Sequence, residues 1–325
     1  MSPTACWNGV SGESKGSRLY DKDNLLRQFT VAIRSDPVGS RGRTRMMTKI
    51  ERRNFIFGIA AAGLVPAAAV ADENGGPRRV RIAHMTDPQF GFGRTAQDHE
   101  ANYAADLARF ERAVARVNAL KPDLALITGD MTHRPEDVVR DWPRLLGMFE
   151  VPVAVAPGNH DMGQKVSKEN RDRYLSVFGS DYRTLDVKGW RIIVGNTQFW
   201  RETDLTAEKE RYEAWLKDEL DKAKAFGGRV ILAGHIPPFT DRVEEPDSYE
   251  NCAKESRRKR LDAYLAAGAR FFLAGHTHRM IAHGWKDLTI LNAETTSWNF
   301  DRRPYGFRLF EAACETDCSY SFVEV

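Results

Sequence analysis

Long apolar runs and cysteines are both scarce in this chain of 325 residues, and each scarcity excludes a class of protein. The uncharged apolar stretch from Phe55 to Ala71 has 17 residues rich in Ala and Gly, so it barely reaches the length of a membrane-spanning helix. Four cysteines, at positions 6, 252, 314 and 318, are too few for a disulfide scaffold and lack the spacing of a zinc knuckle. Cys314 and Cys318 flank a short turn between two strand-like segments and could pair in an oxidising compartment.

A large excess of one charge is also missing from the part of the chain that we expect to fold. The formal net charge is +3, but residues 1–71 contribute 11 Lys and Arg against 5 Asp and Glu. Residues 72–325 hold 37 basic and 40 acidic side chains and are slightly acidic, which gives little reason to expect nucleic-acid binding over a broad surface. We predict that the basic run RRKR at 257–260 is a solvated helix face.

Residues 46–71 have the order of an export signal. Arg52 and Arg53 precede the apolar stretch, which ends on the small residues AVA before Asp72. Paired arginines before a weakly apolar segment resemble the twin-arginine signals of bacteria. We therefore expect export by the twin-arginine machinery, to the periplasm or out of a bacterial cell, with no stable membrane anchor.

The position of this signal divides the rest of the chain. A signal normally starts a protein, so the polar, aperiodic residues 1–45 are a disordered extension or a gene-start artefact, with the true start at Met46 or Met47. The mature part, residues 72–325, has the length of one α/β domain with a sizeable core.

Short apolar runs alternate with helical patterns from Val80 onward, which predicts crossover units and a largely parallel sheet. The runs are VRIAHMTD, DLALITGD, PVAVAPGNHD, RVILAGH and ARFFLAGHTH. A first helix is indicated by an apolar stripe of Tyr103, Leu107, Phe110, Val114, Val117 and Leu120. Further helices are expected at 136–148, 168–178, 206–226 and 254–267.

Two hairpins and a final strand pair interrupt this alternation. The hairpins turn at Lys188-Gly189 and near Lys286-Asp287, and YGFRLFEA and SYSFVEV form the final antiparallel pair. A doubly wound fold with one parallel sheet lacks such a second set of strands. We therefore predict an α/β fold, a four-layer αββα sandwich of two mixed β-sheets flanked by helices.

Each of the five apolar runs ends in side chains that can bind a metal or move a proton, and strand ends are where α/β enzymes place their sites. A single histidine at a strand end is more often a hydrogen-bonded core residue, but five such endings in order indicate a site. In chain order the endings are Asp87 with Gln89, Asp130 with His133, Asn159-His160-Asp161, His235, and His276 with His278.

These endings are similar to a known set of motifs. D (87), GD (129–130), GNHD (158–161), GH (234–235) and GHTH (275–278) resemble, in order, the motifs of the calcineurin-like metallophosphoesterases, over nearly all of residues 80–310. The segments DPQFG, GDMTH, NTQFW and GHIPPF resemble the branch called calcineurin-like phosphoesterase domain-containing proteins.

The resemblance implies two divalent or trivalent metal ions of Mn, Fe or Zn, which oxygen and imidazole donors suit. Asp130 is the implied bridge between them. The first ion would be held by Asp87 and His278, and the second by Asn159, His235 and His276. Because alternate residues of an extended segment point the same way, both histidines of GHTH can reach adjacent ions.

The implied activity is hydrolysis of a phosphate monoester by attack of a metal-bridging hydroxide. One alternative is a phosphodiesterase acting on a cyclic nucleotide or a glycerophosphodiester. A non-enzymatic alternative is an exported phosphate-ester-binding protein with an impaired metal site. Six of the seven ligand positions that the resemblance implies hold a metal-binding residue, and only Gln89 departs.

His160 follows a ligand without being assigned to a metal, which makes it the candidate proton donor to the leaving group. We expect Asp161 to hold the tautomer of this histidine and raise its pKa. The alternative is that Asp161 caps the helix that follows.

Gln89 stands where most of the superfamily has histidine, and a neutral amide is a poorer donor than imidazole for transition metals. Purple acid phosphatases lack the same histidine and place a tyrosine ligand three residues after the bridge, in GDxxY. We predict that His133, at the same offset in GDMTH, binds the first ion, while Gln89 hydrogen-bonds a metal-bound water or binds weakly. The alternative is that His133 caps the helix beginning near Pro135.

Other histidines and aromatic residues have simpler interpretations. His84 lies within a strand and is expected to be a satisfied core residue. Trp200, Tyr249 and Trp298 follow segments close to the site and could line a substrate pocket.

Overall fold

Two mixed β-sheets contain the eleven strands of the described part of the chain. The computed structural model describes residues 79–93, 98–314 and 317–325, so the expected signal and the segment before it lie outside these residues. The strand order is β11-β10-β1-β2-β3 in the first sheet and β4-β5-β6-β7-β9-β8 in the second. The strands are β1 (Val80–Met85), β2 (Leu124–Ile127), β3 (Val153–Val155), β4 (Arg183–Val187), β5 (Trp190–Val194), β6 (Val230–Ala233), β7 (Ala269–Ala274), β8 (Ile281–Trp285), β9 (Leu288–Asn292), β10 (Gly306–Ala312) and β11 (Cys318–Glu324).

Helices lie between the strands close to where the sequence predicts them. They are α1 (His99–Leu120), α2 (Val138–Leu146), α3 (Asn159–Met162), α4 (Lys168–Phe178), α5 (Thr206–Ala223) and α6 (Lys254–Ala266), with 3-10 turns at Pro135–Asp137, Thr197–Trp200 and Lys224–Phe226. None of the helices within the described ranges is long and apolar enough to cross a membrane.

Parallel strands make up most of both sheets. β1, β2 and β3 run parallel in the first sheet, as do β5, β6, β7 and β9 in the second. Every residue of β2 and β6 is buried, which explains why these strands are continuous apolar runs rather than alternating ones. The predicted stripe of α1 belongs to the core or packs against it. The predicted fold of two mixed sheets with helices is confirmed.

The hairpins also form as predicted. Lys188 and Gly189 turn β4 into β5 with φ of 50° and 81°, and Lys286 turns β8 into β9 with φ of 53°. Positive φ at the turn matches the right-handed twist of the paired strands. Cys314 follows β10 and Cys318 begins β11, and a bond between them stays a prediction.

The basic run at 257–260 is not the solvated face that we predicted. Arg257 has 0% of its side-chain surface exposed, and Arg260 is largely covered. Arg258 and Lys259 are exposed, as expected. One turn of α6 thus divides the four charges between the interior and the solvent, which the composition of the run could not reveal.

A buried ion pair joins the two sheets. Glu294 follows β9 of the second sheet, and its carboxylate accepts bonds of 2.7 Å and 2.5 Å from the guanidinium of Arg308 in β10 of the first. Both residues are buried, and Arg308 also donates to the carbonyl of Tyr320 at 3.0 Å. The pair is therefore satisfied by further hydrogen bonding, as a buried charge requires.

Candidate metal centre

The carboxyl ends of both sheets bring the predicted polar residues together. Two groups of donor atoms form, and within each group the atoms lie within 4.8 Å of one another. The first group comprises Asp87, Asp130 and His278, and the second comprises Asp130, His235 and His276. All of these residues are buried. Asp130 belongs to both groups, which is the arrangement expected of a bridging carboxylate.

Asn159 joins the second group. Its side-chain oxygen lies 3.0 Å from Nε2 of His235, and its side-chain nitrogen donates to the hydroxyl of Tyr249 at 2.8 Å. The amide is thereby oriented with its oxygen toward the histidine and its nitrogen away from it. This orientation presents the better donor atom to a cation.

The backbone at the centre is held in a conformation that side chains rarely adopt. Positive φ occurs at five of the predicted site residues: 47° at Asp87, 37° at Gln89, 54° at Asp130, 73° at His276 and 50° at His278. Such conformations persist only where the surrounding structure holds them, and they cluster at functional sites. Here the turns after β1 and β2 support each other, with N–H to O=C bonds of 3.0 Å from Asp87 to Gly129 and 2.8 Å from Gln89 to Asp130.

The glycines of the motifs lie so close to side chains of the centre that a Cβ atom would not fit. A Cβ atom on Gly158 would lie 2.0 Å from Oδ1 of Asp130. One on Gly275 would lie 1.9 Å from Oγ1 of Thr86 and 2.6 Å from Oδ2 of Asp87. Any larger residue at these positions would displace a carboxylate of the centre, so the glycines preserve its geometry.

Each histidine of the two groups has one ring nitrogen engaged by a backbone carbonyl. The donors are Nδ1 of His235 to Thr128 at 2.8 Å, Nε2 of His276 to Tyr249 at 2.8 Å, and Nδ1 of His278 to Trp298 at 2.6 Å. The opposite nitrogen of each ring then has its lone pair directed into the centre. Bonds of this kind set the tautomer of metal-binding histidines.

The donor set fits cations. Nε2 of His235 and Nδ1 of His276 face each other at 3.1 Å, and Oδ1 of Asp87 is buried and accepts no hydrogen bond. Burial alone would lower the pKa of His235, but the carboxylates of Asp130 and Asp87 raise it to about 9. Burial also opposes ionisation of Asp130, yet the neighbouring histidines, His235 first, lower the pKa of its carboxyl. Converging lone pairs and buried anions match two metal ions with nitrogen and oxygen ligands.

The prediction for Asp161 is wrong in its main form. Its carboxylate accepts hydrogen bonds from the backbone nitrogens of Gly158, Asp130 and Met131, at 2.7, 2.9 and 2.9 Å. Nδ1 of His160 instead donates to the carbonyl of His133 at 2.8 Å. Asp161 therefore caps the start of α3 and holds the turn after β2, which is the alternative that we had kept open.

His133 belongs to neither donor group. Its ring stacks on that of His160 with centroids 4.9 Å apart, and its Nδ1 is buried without a hydrogen-bond partner. It does not cap the 3-10 turn at Pro135–Asp137 either, because that turn has no side-chain cap. Gln89 is buried next to the bridge, and its Oε1 accepts no hydrogen bond. Oε1 of Gln89 and Nδ1 of His133 are thus both buried without a hydrogen-bond partner, and Gln89 is the residue whose backbone nitrogen bonds the carbonyl of the shared Asp130.

A loop between β6 and α6 supports the second group, and no motif in the sequence indicates this. Its residue Tyr249 contacts both Asn159 and His276. Glu245 accepts bonds from the backbone nitrogens of Thr240, Asp241 and Arg242 and from the side chain of Asn251. Arg257 binds three carbonyls of the same loop, those of Val243, Glu245 and Cys252.

The three aromatic residues proposed as pocket lining separate in the structure. Tyr249 and Trp298 are 50% and 38% exposed next to histidines of the centre. Trp200 is buried and packs against Phe272, so it belongs to the core. Closeness to a motif in the sequence therefore predicted a position at the centre correctly for Tyr249 and Trp298 but not for Trp200.

Comparison with known proteins agrees with this geometry. The family model described as calcineurin-like phosphoesterase matches residues 80–280. A human protein named serine/threonine-protein phosphatase CPPED1 is 27% identical over 247 residues, which are 70% of this chain and 79% of that protein. A probable glycerophosphodiester phosphodiesterase, GpdQ of Arcobacter nitrofigilis, is 25% identical over 189 residues, 57% of this chain and 67% of that one.

Solved structures show the same fold. A dimetal phosphatase from Danio rerio superposes with a TM-score of 0.51 at 14% identity, covering 72% of this chain and 92% of that one. GAP50, the anchor in the inner membrane complex of Plasmodium, has the same score and identity over 76% and 84%. The ordered motifs, the shared aspartate and the matching family model lead to one conclusion: this chain belongs to the calcineurin-like phosphoesterase family.

Proposed function

We propose that this chain is a dinuclear metal-dependent phosphomonoesterase. The observation that supports this most directly is the pair of buried donor groups that share Asp130. Asp87 and His278 would hold the first ion, and Asn159, His235 and His276 the second. When bound, two ions such as Mn, Fe or Zn supply positive charge to the phosphoryl oxygens and lower the pKa of the attacking water.

His160 is the proposed proton donor. Its backbone nitrogen donates to Oδ1 of Asp130 at 2.8 Å, which fixes the residue beside the shared carboxylate. Its Nδ1 is engaged by the carbonyl of His133, so Nε2 is the nitrogen that would give a proton to the leaving oxygen. Of the residues in the donor groups, only Asp130 takes part in these two bonds.

A phosphodiesterase is the second candidate. GpdQ of Arcobacter nitrofigilis and a probable cyclic nucleotide phosphodiesterase of Vesicomyosocius okutanii, 23% identical over 195 residues, support it. The monoesterase is preferred because the CPPED1 proteins, which are named phosphatases, match over more of the chain. A binding protein without activity is disfavoured, since six of the seven implied ligand positions hold a metal-binding residue and five of those six lie in the two donor groups.

The test combines metal analysis with a panel of phosphate mono- and diesters, assayed after each metal is restored. We expect Asp130→Asn to lose metal, because the shared charge holds two cations together. We expect His160→Ala to keep both ions while kcat falls by about 10² to 10⁴. Loss of an ion from His160→Ala would show that it is a ligand, hydrolysis of diesters alone would favour the second candidate, and no hydrolysis at all would contradict both.

Export to the periplasm or the outside of a bacterial cell is part of the proposal. Its support is the order of Arg52-Arg53, apolar stretch and AVA in residues 46–71. Protein expressed from Met46 or Met47 should reach the periplasm and begin near Asp72. Replacing both arginines by lysine should retain it in the cytoplasm, and normal export of that variant would count against the twin-arginine route.

A further inference from the structure

The position of His160 determines where the organic part of a substrate lies. This inference rests on the proposed function, in which the two ions hold the phosphoryl group and His160 protonates the leaving oxygen. A general acid must lie within hydrogen-bond reach of the oxygen that it protonates. The carbon atoms attached to that oxygen must therefore occupy the space next to the ring of His160.

Aromatic rings line that space. The ring of His133 stacks on His160 with centroids 4.9 Å apart, and Phe92 meets His133 edge to face at 5.4 Å. Phe300 follows, 6.3 Å from Phe92 and stacked at 4.8 Å on His278 of the first donor group. We call His133, Phe92 and Phe300 the aromatic strip. It runs from the proton donor to a histidine of the first group.

The strip is accessible and has little charge. Phe300 is 47% exposed, and the other two rings are half-buried. Two of its three rings belong to phenylalanine, which carries no charge. The guanidinium of Arg279 lies 5.9 Å from the centre of the Phe300 ring. An apolar aromatic surface can stack on an aromatic ring of a substrate, but it forms few favourable contacts with a polyol.

Large exposed apolar side chains are concentrated around the centre. Four are found in the described part of the chain, and three of them, Tyr249, Trp298 and Phe300, belong to residues that contact His276 or His278. The fourth, Val139, lies on α2. Exposed apolar surface that is concentrated at one site indicates a ligand with an apolar part.

We infer that the aromatic strip is the leaving-group subsite and that the enzyme prefers phosphomonoesters whose alcohol bears an aromatic ring over those of polar aliphatic alcohols. The metal ions would bind the phosphate of either ester, so the strip would discriminate only through the organic group. Each well-placed ring pair contributes roughly two- to tenfold. Contact with two rings of the strip is then expected to give a preference on the order of tenfold or more.

Benzyl phosphate and glycerol 3-phosphate provide the test, with the metal-loaded protein. Both esters release a primary alcohol, so a difference in kcat/KM does not come from an intrinsically better leaving group, as it would with phenyl phosphate. We expect the parent protein to favour benzyl phosphate, and Phe300→Ala and Phe92→Leu each to reduce that preference. Val139→Ala removes a similarly exposed apolar side chain outside the strip and should leave it unchanged.

A binding measurement removes the dependence on turnover. Benzylphosphonate and methylphosphonate cannot be hydrolysed at a phosphate ester bond, and calorimetry should show tighter binding of the benzyl compound in the parent. Phe300→Ala should lose that difference while binding methylphosphonate as before. Because Phe300 is half exposed, this variant does not remove a core residue, and Phe92→Leu keeps an apolar side chain at the more buried position.

Failure of the inference differs from failure of the proposed function. Hydrolysis of both esters at equal kcat/KM, or a preference that survives Phe300→Ala and Phe92→Leu, would overturn the inference and leave a phosphomonoesterase. Failure to hydrolyse any phosphomonoester with both metal sites loaded would overturn the function, and the inference with it.

Discussion

The hydroxyl of Tyr249 accepts a hydrogen bond of 2.8 Å from the side-chain nitrogen of Asn159, and this bond orients the amide oxygen toward His235. The carbonyl of the same tyrosine accepts a bond of 2.8 Å from Nε2 of His276. One residue of an irregular loop therefore orients two residues of the second donor group. Loss of such an outer contact typically costs about ten- to hundredfold in metal affinity or activity.

Tyr249→Phe should weaken the second ion selectively. The variant keeps the backbone carbonyl and the ring but removes the acceptor of the Asn159 amide. We expect the affinity for one of the two ions to fall by about tenfold or more, within the range known for outer-shell partners. A two-step metal titration measures this, and the first ion should be unaffected. Tyr182→Phe, which alters a ring packed on Trp215, is the matched control.

Substitution of Arg257 tests whether the loop that contains Tyr249 supports the second ion. Its guanidinium is fully buried and donates four bonds of 2.7 to 2.9 Å to loop carbonyls. A lysine cannot reproduce this fork, so Arg257→Lys should lower the free energy of unfolding by about 2 to 4 kcal/mol. It should also increase hydrogen exchange at 241–253 and weaken the second ion.

Its exposed neighbour is the control. Arg258 pairs with the exposed Glu244 at 2.6 Å, and Arg258→Lys should change the free energy of unfolding by less than about 0.5 kcal/mol. If both variants lose the same stability and bind metal alike, Arg257 does not act through the loop.

Gln89 and His133 should differ in metal binding. Gln89 donates from its backbone nitrogen to the carbonyl of the shared Asp130 at 2.8 Å and has an unpartnered buried Oε1, whereas the ring of His133 lies against that of His160. We now expect Gln89→Ala to weaken the first ion more than His133→Ala does, and Gln89→His to bind it more tightly, because imidazole is the better donor. The opposite order in a metal titration would restore His133 as the replacement ligand.

The ion pair between the sheets should be costly to break. Glu294→Gln leaves the buried guanidinium of Arg308 without a full counter-charge, and we expect a loss on the order of 3 kcal/mol in chemical denaturation. Glu311→Gln interrupts a pair with Arg81 that is partly exposed on both sides, and it should cost under about 1 kcal/mol. Equal losses would show that the buried position of Glu294 is unimportant.

His84 should make stability depend on pH. Burial lowers its pKa from 6.5 to about 3, and its ring nitrogens lie 2.7 Å from the hydroxyl of Tyr320 and 2.9 Å from that of Thr128. The unfolded chain binds a proton below pH 6.5 that the folded chain does not bind until about pH 3. The free energy of unfolding should therefore fall with decreasing pH across this window, by up to about 1.4 kcal/mol per unit from this residue.

His84→Gln isolates this contribution from other titrating groups. The variant should be less stable than the parent at pH 7, because glutamine cannot make both bonds of the ring. Its free energy of unfolding should nevertheless change less steeply between pH 6.5 and 3, measured by urea denaturation at each pH. Parallel curves for the two proteins would mean that the ring is protonated in the folded state.

Residues at strand ends could be recognised from the sequence alone. Buried parallel strands appear in the sequence as short apolar runs. The carboxyl ends of parallel strands lie at the same edge of a sheet, where α/β enzymes bind their ligands. Asp87, Asp130 and His276 were therefore predictable as one site from local patterns, as were the hairpin turns at Lys188 and Lys286. In these cases the determining physics lies within a few residues along the chain.

Contacts made by irregular segments depended on the three-dimensional fold. Asp161 bonds backbone nitrogens about 30 residues away, although the nearest histidine in sequence is its neighbour. Arg257 lies in a run of four basic residues, and only the packing of α6 against the loop of Tyr249 makes it an interior residue. A loop has no repeating period that relates sequence position to direction, so burial and partner choice within it follow from tertiary packing rather than from local pattern.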